Sequence, residues 1–131
     1  MAFNQLTRDE KHIIEDKGIE RPFSGEYDSF YEDGTFICRK CNSPLFSSQA
    51  KFDAGCGWPA FDQNFPGAVK RLIDADGYRA EIECTHCGAH LGHVFEGEHI
   101  TDKDTRNCVN SLSIRFIPKK KELPAALEEI T

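Results

Sequence analysis

The chain has 131 residues, of which 39% are hydrophobic and 29% are charged. This length and composition predict one folded domain over residues 1–131 and exclude a disordered or fibrous protein. The 22 acidic residues outnumber the 16 basic ones, and the net charge of −6 argues against nucleic acid or an anionic membrane as a partner. No stretch reaches the roughly 18 apolar residues of a membrane span, and the N-terminus has no signal-peptide pattern, so we expect a cytoplasmic protein.

A helix is predicted near the N-terminus. Thr7 and Glu10 have the spacing of a capping box, in which the threonine hydroxyl and the glutamate carboxylate bond to early helix amides. The helix would carry Ile13 and Ile14 on its buried face and end at Gly18.

Short β segments separated by turns follow from Asp33-Gly34 onward. They are predicted at 35–39, 43–46, 69–74, 78–84 and 111–117. In the last of them Leu112, Ile114 and Phe116 would share one face, and Pro118 would end the strand. A short helix at 124–129 would complete a mainly β fold with peripheral N- and C-terminal helices.

The clearest strand is 78–84, because its apolar and polar residues alternate. Tyr78, Ala80, Ile82 and Cys84 share one parity, and Arg79, Glu81 and Glu83 share the other. This pattern predicts one buried and one solvent-facing side, and pairing with 69–74 across a turn at Asp76-Gly77.

Four of the six cysteines form two Cys-x-x-Cys pairs, Cys38 with Cys41 and Cys84 with Cys87. Four thiolates in a tetrahedral cage are typical of a closed structural zinc site, so we expect one structural Zn2+ per chain. The alternatives are an iron site of the rubredoxin kind, two redox pairs of the thioredoxin kind, or four unrelated core cysteines.

The other two cysteines are Cys56 and Cys108. Either could be an unreactive core thiol, because buried free cysteine is common. Arg106, Cys108 and Asn110 point to one side if the strand at 111–117 begins early. A guanidinium within about 6 Å favours the thiolate and lowers the cysteine pKa from about 8.5, so Cys108 is predicted to be a nucleophile.

Cys56 lies between Gly55 and Gly57, which permit unusual backbone angles and an exposed, mobile thiol. Trp58 is either a core anchor or an apolar wall for a small soft group. His90 and His93 could donate protons near neutral pH, or could be exposed or hydrogen-bonded histidines without a chemical role.

Taken together, these residues resemble the B-type methionine-R-sulfoxide reductases, which return one epimer of oxidised methionine to the thioether. The resemblance spans nearly the whole chain. It is carried by RPFSG at 21–25, the two Cys-x-x-Cys pairs, GCGWP at 55–59, HLGHVF at 90–95 and RNCVN at 106–110.

The resemblance implies two antiparallel β sheets and a zinc remote from the active site. Cys108 would be the catalytic cysteine and form a sulfenic acid, and Cys56 the recycling cysteine that forms a disulfide with it. Trp58 would stack against the substrate methyl group. The residues implied to orient the sulfoxide oxygen or its waters are His90, His93, Arg106 and Asn110. The implied partners are oxidised methionine in peptides and proteins and a thioredoxin-like reductant, and we expect a monomer.

The chain departs from the family pattern after the histidine segment. Family members often have an aspartate where this chain has Gly97, between Glu96 and Glu98. Either glutamate could replace it, or His93 could protonate the oxygen without a carboxylate. Ala60 stands where the family has a serine. A second class of function stays open beside the enzyme: a non-catalytic, zinc-stapled β binding module with inert Cys56 and Cys108.

Overall fold

The computed structural model describes residues 2–73 and 80–128, and this part of the chain has nine strands in two antiparallel sheets. Their bounds are β1 Gly34–Cys38, β2 Pro44–Ser47, β3 Lys51–Phe52, β4 Ala60–Phe61, β5 Val69–Ile73, β6 Ala80–Cys84, β7 His90–Glu96, β8 Thr105–Val109 and β9 Ile114–Pro118. One helix, α1, covers Arg8–Ile14, and two 3₁₀ turns cover Ser48–Ala50 and Ser111–Ser113. The prediction of a mainly β fold is confirmed.

The two sheets differ in size. The smaller sheet has the order β2-β1-β9, and the larger has the order β3-β4-β8-β7-β6-β5. Within the larger sheet β8 lies between β4 and β7, and Cys108 is in register with Ala60 on one side and with His93 on the other. Because both edges of β8 are hydrogen-bonded to neighbours, this strand is a rigid support for side chains.

Aromatic rings join the two sheets into one core. Phe36 of β1 and Phe61 of β4 are fully buried, and their ring centroids lie 5.1 Å apart with the rings edge to face. Phe46 of β2 stacks on Phe61 at 4.3 Å. Such pairs contribute about 0.5–1.5 kcal/mol each beyond the burial of their surface.

The N-terminal helix begins as predicted. The Thr7 hydroxyl accepts from the Glu10 amide at 3.2 Å, and the Glu10 carboxylate accepts from the Thr7 amide at 2.8 Å, which completes the capping box. Ile13 and Ile14 are buried. The helix ends at Ile14, before the predicted Gly18, because the backbone at Lys17 turns into the left-handed region with φ 57°. The described part of the chain contains no helix long and apolar enough to cross a bilayer.

The prediction that one face of β6 is exposed to solvent is wrong, because both faces of the strand are covered. Glu81 and Glu83, predicted to face solvent, are only 5% and 8% exposed. The Lys17 ammonium reaches over them, 2.9 Å from a Glu81 oxygen and 3.5 Å from a Glu83 oxygen. The predicted pairing of β5 with β6 is confirmed. The remaining residues of that prediction lie outside the described part of the chain: Asp74, Asp76, Gly77, Tyr78 and Arg79.

The strand predicted at 111–117 is wrong at its start. Residues Ser111–Ser113 form a 3₁₀ turn, and this turn separates β8 in the larger sheet from β9 in the smaller one. The carboxylate of Glu20 accepts hydrogen bonds from the Ser111 and Leu112 amides at 2.9 and 2.7 Å, which holds the turn. Leu112 therefore lies in the turn and does not continue the face of β9.

The C-terminal helix predicted at 124–129 is also wrong. Residues 124–128 are not helical, and Glu129 lies outside the described range. The Leu127 amide donates to the Cys41 carbonyl at 2.7 Å, and the Leu127 carbonyl lies 2.7 Å from His86 Nε2. Leu127 is buried, and its backbone groups bond to the two cysteine loops. In a helix the same groups would bond to neighbouring turns of the helix itself.

Candidate active site

A cavity of about 230 Å³ opens over β7 and β8 of the larger sheet. The seven residues singled out in the sequence for catalysis or substrate binding all line it: Cys56, Trp58, His90, His93, Arg106, Cys108 and Asn110. Ile19 and Phe95 add apolar surface to its wall. Residues from four separate sequence segments thus converge on a single cavity.

Strand β8 sets the spacing of the cavity floor. Arg106 and Cys108 are two residues apart on this strand and project to the same side, as expected from strand geometry. Neighbouring β7 approaches so closely that a Cβ at Gly92 would clash with the carbonyl oxygen of Cys108. The glycine therefore permits the pairing that places His93 beside Cys108.

The thiols of Cys56 and Cys108 are in contact, with their Sγ atoms 3.7 Å apart. Cys108 is fixed by β8, whereas Cys56 lies on a loop between Gly55 and Gly57, whose φ angles are 67° and 91°. A disulfide requires a sulfur separation of about 2.05 Å. A small movement of the loop would bring the two sulfurs to bonding distance.

The two thiols differ in pKa. The hydrogen bond from Cys108, together with weaker effects of Trp58 and Arg106, lowers the pKa of Cys56 to about 6. The same contact and burial raise the pKa of Cys108, even though Arg106 acts to lower it. The expected effect of Arg106 on Cys108 is therefore present, but its partner thiol outweighs it. The pair holds one negative charge near neutral pH.

Glu98 holds Arg106 in place. The guanidinium donates to the Glu98 carboxylate from Nε at 2.8 Å and from Nη2 at 3.1 Å, and it lies 4.3 Å from the centre of the Phe95 ring. This hydrogen bond from Arg106 lowers the pKa of Glu98, so the carboxylate is ionised at neutral pH. Glu96 instead pairs with Arg71. Of the two glutamates beside Gly97, Glu98 is thus the one bound to a cavity residue.

Glu20 positions two residues of the cavity through its backbone. The Trp58 indole Nε1 donates to the Glu20 carbonyl at 3.0 Å, and the Glu20 amide donates to Asn110 Oδ1 at 3.1 Å. With its nitrogen satisfied outside the cavity, Trp58 presents its ring to the interior as an apolar wall. The sequence does not predict this role of Glu20, since nothing in the local pattern distinguishes it from a surface glutamate.

The two histidines lie side by side, with ring centroids 5.8 Å apart. His90 is buried, and its Nδ1 lies 2.6 Å from a carboxylate oxygen of Glu81. The sequence does not predict this contact either, because the alternation along β6 puts Glu81 on the solvent side.

The four remaining cysteines form a cluster of their own and do not line this cavity. The Sγ atoms of Cys38, Cys41, Cys84 and Cys87 all lie within 4.8 Å of one another, which is an arrangement that can hold a metal ion. Cys38 and Cys87 are 3.5 Å apart, and Cys41 and Cys84 are 3.7 Å apart. A tetrahedral ion with metal–sulfur bonds of about 2.3 Å places its sulfurs about 3.8 Å apart, so the four side chains fit such an ion.

A reactive thiol pair beside an arginine, two histidines and an apolar wall defines the class of a thiol-dependent oxidoreductase. Within that class the chain belongs to the SelR domain family, which it matches over residues 6–118. This membership confirms the resemblance that the five motifs carry and favours an enzyme over a non-catalytic binding module.

Curated relatives cover most of the chain. It is 53% identical over 114 residues to peptide methionine sulfoxide reductase B5 of Oryza sativa subsp. japonica, covering 86% of this chain and 84% of that protein. It is 52% identical over 116 residues to peptide methionine sulfoxide reductase B5 of Arabidopsis thaliana, covering 88% and 84%. The chloroplastic peptide methionine sulfoxide reductase B2 of Arabidopsis thaliana is 49% identical over 119 residues, covering 90% and 59%.

Replacing Arg106 with alanine is expected to raise the pKa of the thiol pair, because the guanidinium lowers the pKa of both Cys56 and Cys108. The midpoint of the pH dependence of iodoacetamide modification should then shift to higher pH than in the unmodified protein. Arg71→Ala is the matched control, since Arg71 also pairs with a glutamate but does not line the cavity. An unchanged pH profile in Arg106→Ala, or an equal shift in both variants, would contradict this electrostatic role.

Proposed function

We propose that the protein is a methionine-R-sulfoxide reductase, which reduces the R epimer of oxidised methionine in peptides and proteins to methionine. The observation that carries the proposal is the contact of two thiols, 3.7 Å apart, inside a cavity with an indole wall and two histidines. Family membership and the names of the relatives support the same reaction.

Cys108 is the nucleophile in this proposal. A proton that passes across the 3.7 Å contact from Cys108 to Cys56 leaves the single negative charge of the pair on Cys108. The position of Cys108 supports the role of nucleophile. It lies on a strand that is paired on both sides, so its sulfur can be held at a fixed distance from a bound sulfoxide. Its thiolate attacks the sulfoxide sulfur and forms a sulfur–sulfur bond while the oxygen is protonated. The hydroxyl then passes from the methionine sulfur to the Cys108 sulfur as the sulfur–sulfur bond breaks, so methionine leaves as the thioether and Cys108 becomes a sulfenic acid. Methionine sulfur gains the two electrons that Cys108 sulfur loses.

The histidines are the proposed proton donors for the sulfoxide oxygen. Glu98 is a poor donor, since its hydrogen bond with Arg106 lowers its pKa and keeps it ionised. His90 and His93 both line the cavity, and His93 is the register partner of Cys108. Asn110 and Arg106 would orient the oxygen through their N–H groups. Trp58 would pack against the methyl group of the substrate.

Cys56 completes the cycle. Its thiol attacks the sulfenic acid of Cys108, water leaves, and a Cys56–Cys108 disulfide forms. A dithiol of the thioredoxin class, with a potential of about −270 mV, would then reduce this disulfide and restore both thiols. The glycines on either side of Cys56 permit the loop movement that closing the bond requires.

A structural zinc is the proposed occupant of the four-cysteine cluster. Thiolate ligands and tetrahedral spacing suit Zn2+, and four protein ligands leave no open position for substrate. Binding could contribute on the order of 10 kcal/mol to folding. Cys38 is the last residue of β1 and Cys84 is the last residue of β6, while Cys41 and Cys87 lie in the loops that follow, so an ion there would tie the two sheets together.

Three further properties belong to the same proposal. Residues 1–131 form one domain, of which the family match covers 6–118. We expect the protein to act as a monomer, since the seven candidate site residues of one chain already line one cavity. It works in the cytoplasm, where a reducing environment keeps both thiols available between cycles.

The recycling step can be separated from the reduction by mutation. Cys56→Ser should still yield about one equivalent of methionine in a single turnover, because Cys108 alone carries out the reduction. Turnover with thioredoxin should collapse, and Cys108→Ser should form no methionine in either assay. Methionine is quantified by chromatography, and peptide mapping of the unmodified protein should locate a Cys56–Cys108 disulfide after substrate is added without reductant. Sustained thioredoxin-dependent turnover of Cys56→Ser would contradict the assignment of Cys56.

The metal assignment is tested by its effect on stability. Native mass spectrometry should find one zinc per chain, and Cys84→Ser should lose the metal and unfold, since an incomplete cage lacks a thiolate ligand. Cys56→Ser is the control, because it removes a cysteine outside the cluster and should keep both metal and fold. A metal-free chain with unchanged thermal stability would refute a structural zinc, and an iron–thiolate absorption band would replace zinc with iron.

A further inference from the structure

The His90 side chain is hydrogen-bonded to a group that does not line the cavity. Its side chain is 3% exposed, and Nδ1 lies 2.6 Å from Glu81 Oε2. An ionised carboxylate only accepts hydrogen bonds, so this contact places a proton on Nδ1. Nε2 is buried and has no hydrogen-bond partner among the described residues. The ring therefore lines the cavity with one nitrogen fixed and the other left for a bound group.

Glu81 needs a partner of its own to serve this purpose. It is 5% exposed, and a buried carboxylate is costly unless it is paired. Burial alone would raise its pKa, but hydrogen bonds from Lys17 and His90 bring the pKa below its ordinary value. Lys17 Nζ lies 2.9 Å from Glu81 Oε1, the oxygen that His90 does not use. Each carboxylate oxygen thus has one partner.

Lys17 occupies a backbone position that favours glycine. It follows α1 in the left-handed region, with φ 57°, and the Gly18 amide closes the helix end by donating to the His12 carbonyl at 2.9 Å. Helices commonly end with glycine in this conformation, because a side chain there is strained. Here the glycine is one position later, and the strained residue is the lysine that reaches Glu81.

We propose that Lys17 is a positioning residue for His90 and acts through Glu81. Its ammonium keeps Glu81 ionised, and Glu81 in turn holds the His90 ring with Nε2 towards the substrate oxygen. In the imidazolium form, in which both ring nitrogens carry a proton, Nε2 donates to that oxygen. The proposal deepens the proposed function and rests on it. It assigns a catalytic consequence to a lysine outside the cavity, 54% exposed, that touches neither thiol.

Four variants separate the charge of Lys17 from its backbone. Lys17→Met removes the ammonium and keeps the aliphatic stem, and Lys17→Gly removes the ammonium while relieving the left-handed strain. Lys17→Arg retains the charge. Lys70→Met is the matched control, because Lys70 lies 3.6 Å from Glu83 and forms no ion pair with Glu81.

The first measurement is the single-turnover rate of methionine formation. Lys17→Met and Lys17→Gly should react roughly three- to tenfold more slowly than the unmodified protein. This slowing is smaller than the loss of general acid–base catalysis itself, which costs about 10²-fold or more in rate. Lys17→Arg and Lys70→Met should keep the original rate. Lys17→Gly should melt at a higher temperature than Lys17→Met, because both variants lose the same ion pair and only the glycine relieves the left-handed strain. Equal slowing in two variants of different stability is not explained by a structural role alone.

The second measurement is the 15N spectrum of the His90 imidazole at alkaline pH, which needs no substrate. The unmodified protein should show hydrogen on Nδ1 only, and Lys17→Met should show a mixture of the two tautomers. Wild-type rates in Lys17→Met and Lys17→Gly with an unchanged spectrum would overturn the proposal, as would equal slowing by Lys70→Met. Failure of the proposed function would look different, because the unmodified protein would then form no methionine and the spectrum alone would decide the role of Lys17.

Discussion

The arrangement of the cavity depends on the hydrogen bonds that the buried carboxylate of Glu20 accepts. It accepts from the Ser111 and Leu112 amides at the point where the chain leaves the larger sheet for the smaller one. The backbone of the same residue bonds to Trp58 and Asn110. Loss of this carboxylate would leave the buried Ser111 amide and the partly buried Leu112 amide without these partners, at about 1–3 kcal/mol for the buried one. Through Glu20, the N-terminal segment is therefore hydrogen-bonded both to the connection between the two sheets and to two residues that line the cavity.

Carboxylates behind the cavity organise the groups inside it. Glu98 binds Arg106, and Glu81 binds His90. In both cases the acid lies outside the cavity and the nitrogen-bearing side chain lines it. A protein with a net charge of −6 can in this way present a cation to its thiols, and this local field favours a thiolate. Chemistry at the cavity is set by these local pairs and not by the overall charge.

The sequence predicts the parts of the fold and site that depend on neighbouring residues. The capping box at Thr7, the two Cys-x-x-Cys pairs and the common side of Arg106 and Cys108 all follow from short spacings, and the structure agrees with each. The convergence of the motifs on a single cavity follows only from the family resemblance, because no spacing brings Cys56 to Cys108.

Long-range contacts account for the errors. Glu81 alternates like a solvent-facing residue, but Lys17, distant in sequence, covers it. The chain from β8 to β9 has the parity of one strand, but Glu20 bonds to its amides and bends it into a turn. The segment at 124–128 has a proline suited to a helix start, but its backbone binds the cysteine loops. In each case a tertiary hydrogen bond outweighs a local preference.

The central claim is that the cavity reduces one epimer of methionine sulfoxide through its own thiols. The most direct test is to incubate the protein and a dithiol reductant with peptides that contain either the R or the S epimer, and to measure methionine formed from each. We predict that the R epimer is reduced and the S epimer is not. Equal reduction of both epimers, or reduction of the S epimer alone, would contradict this account.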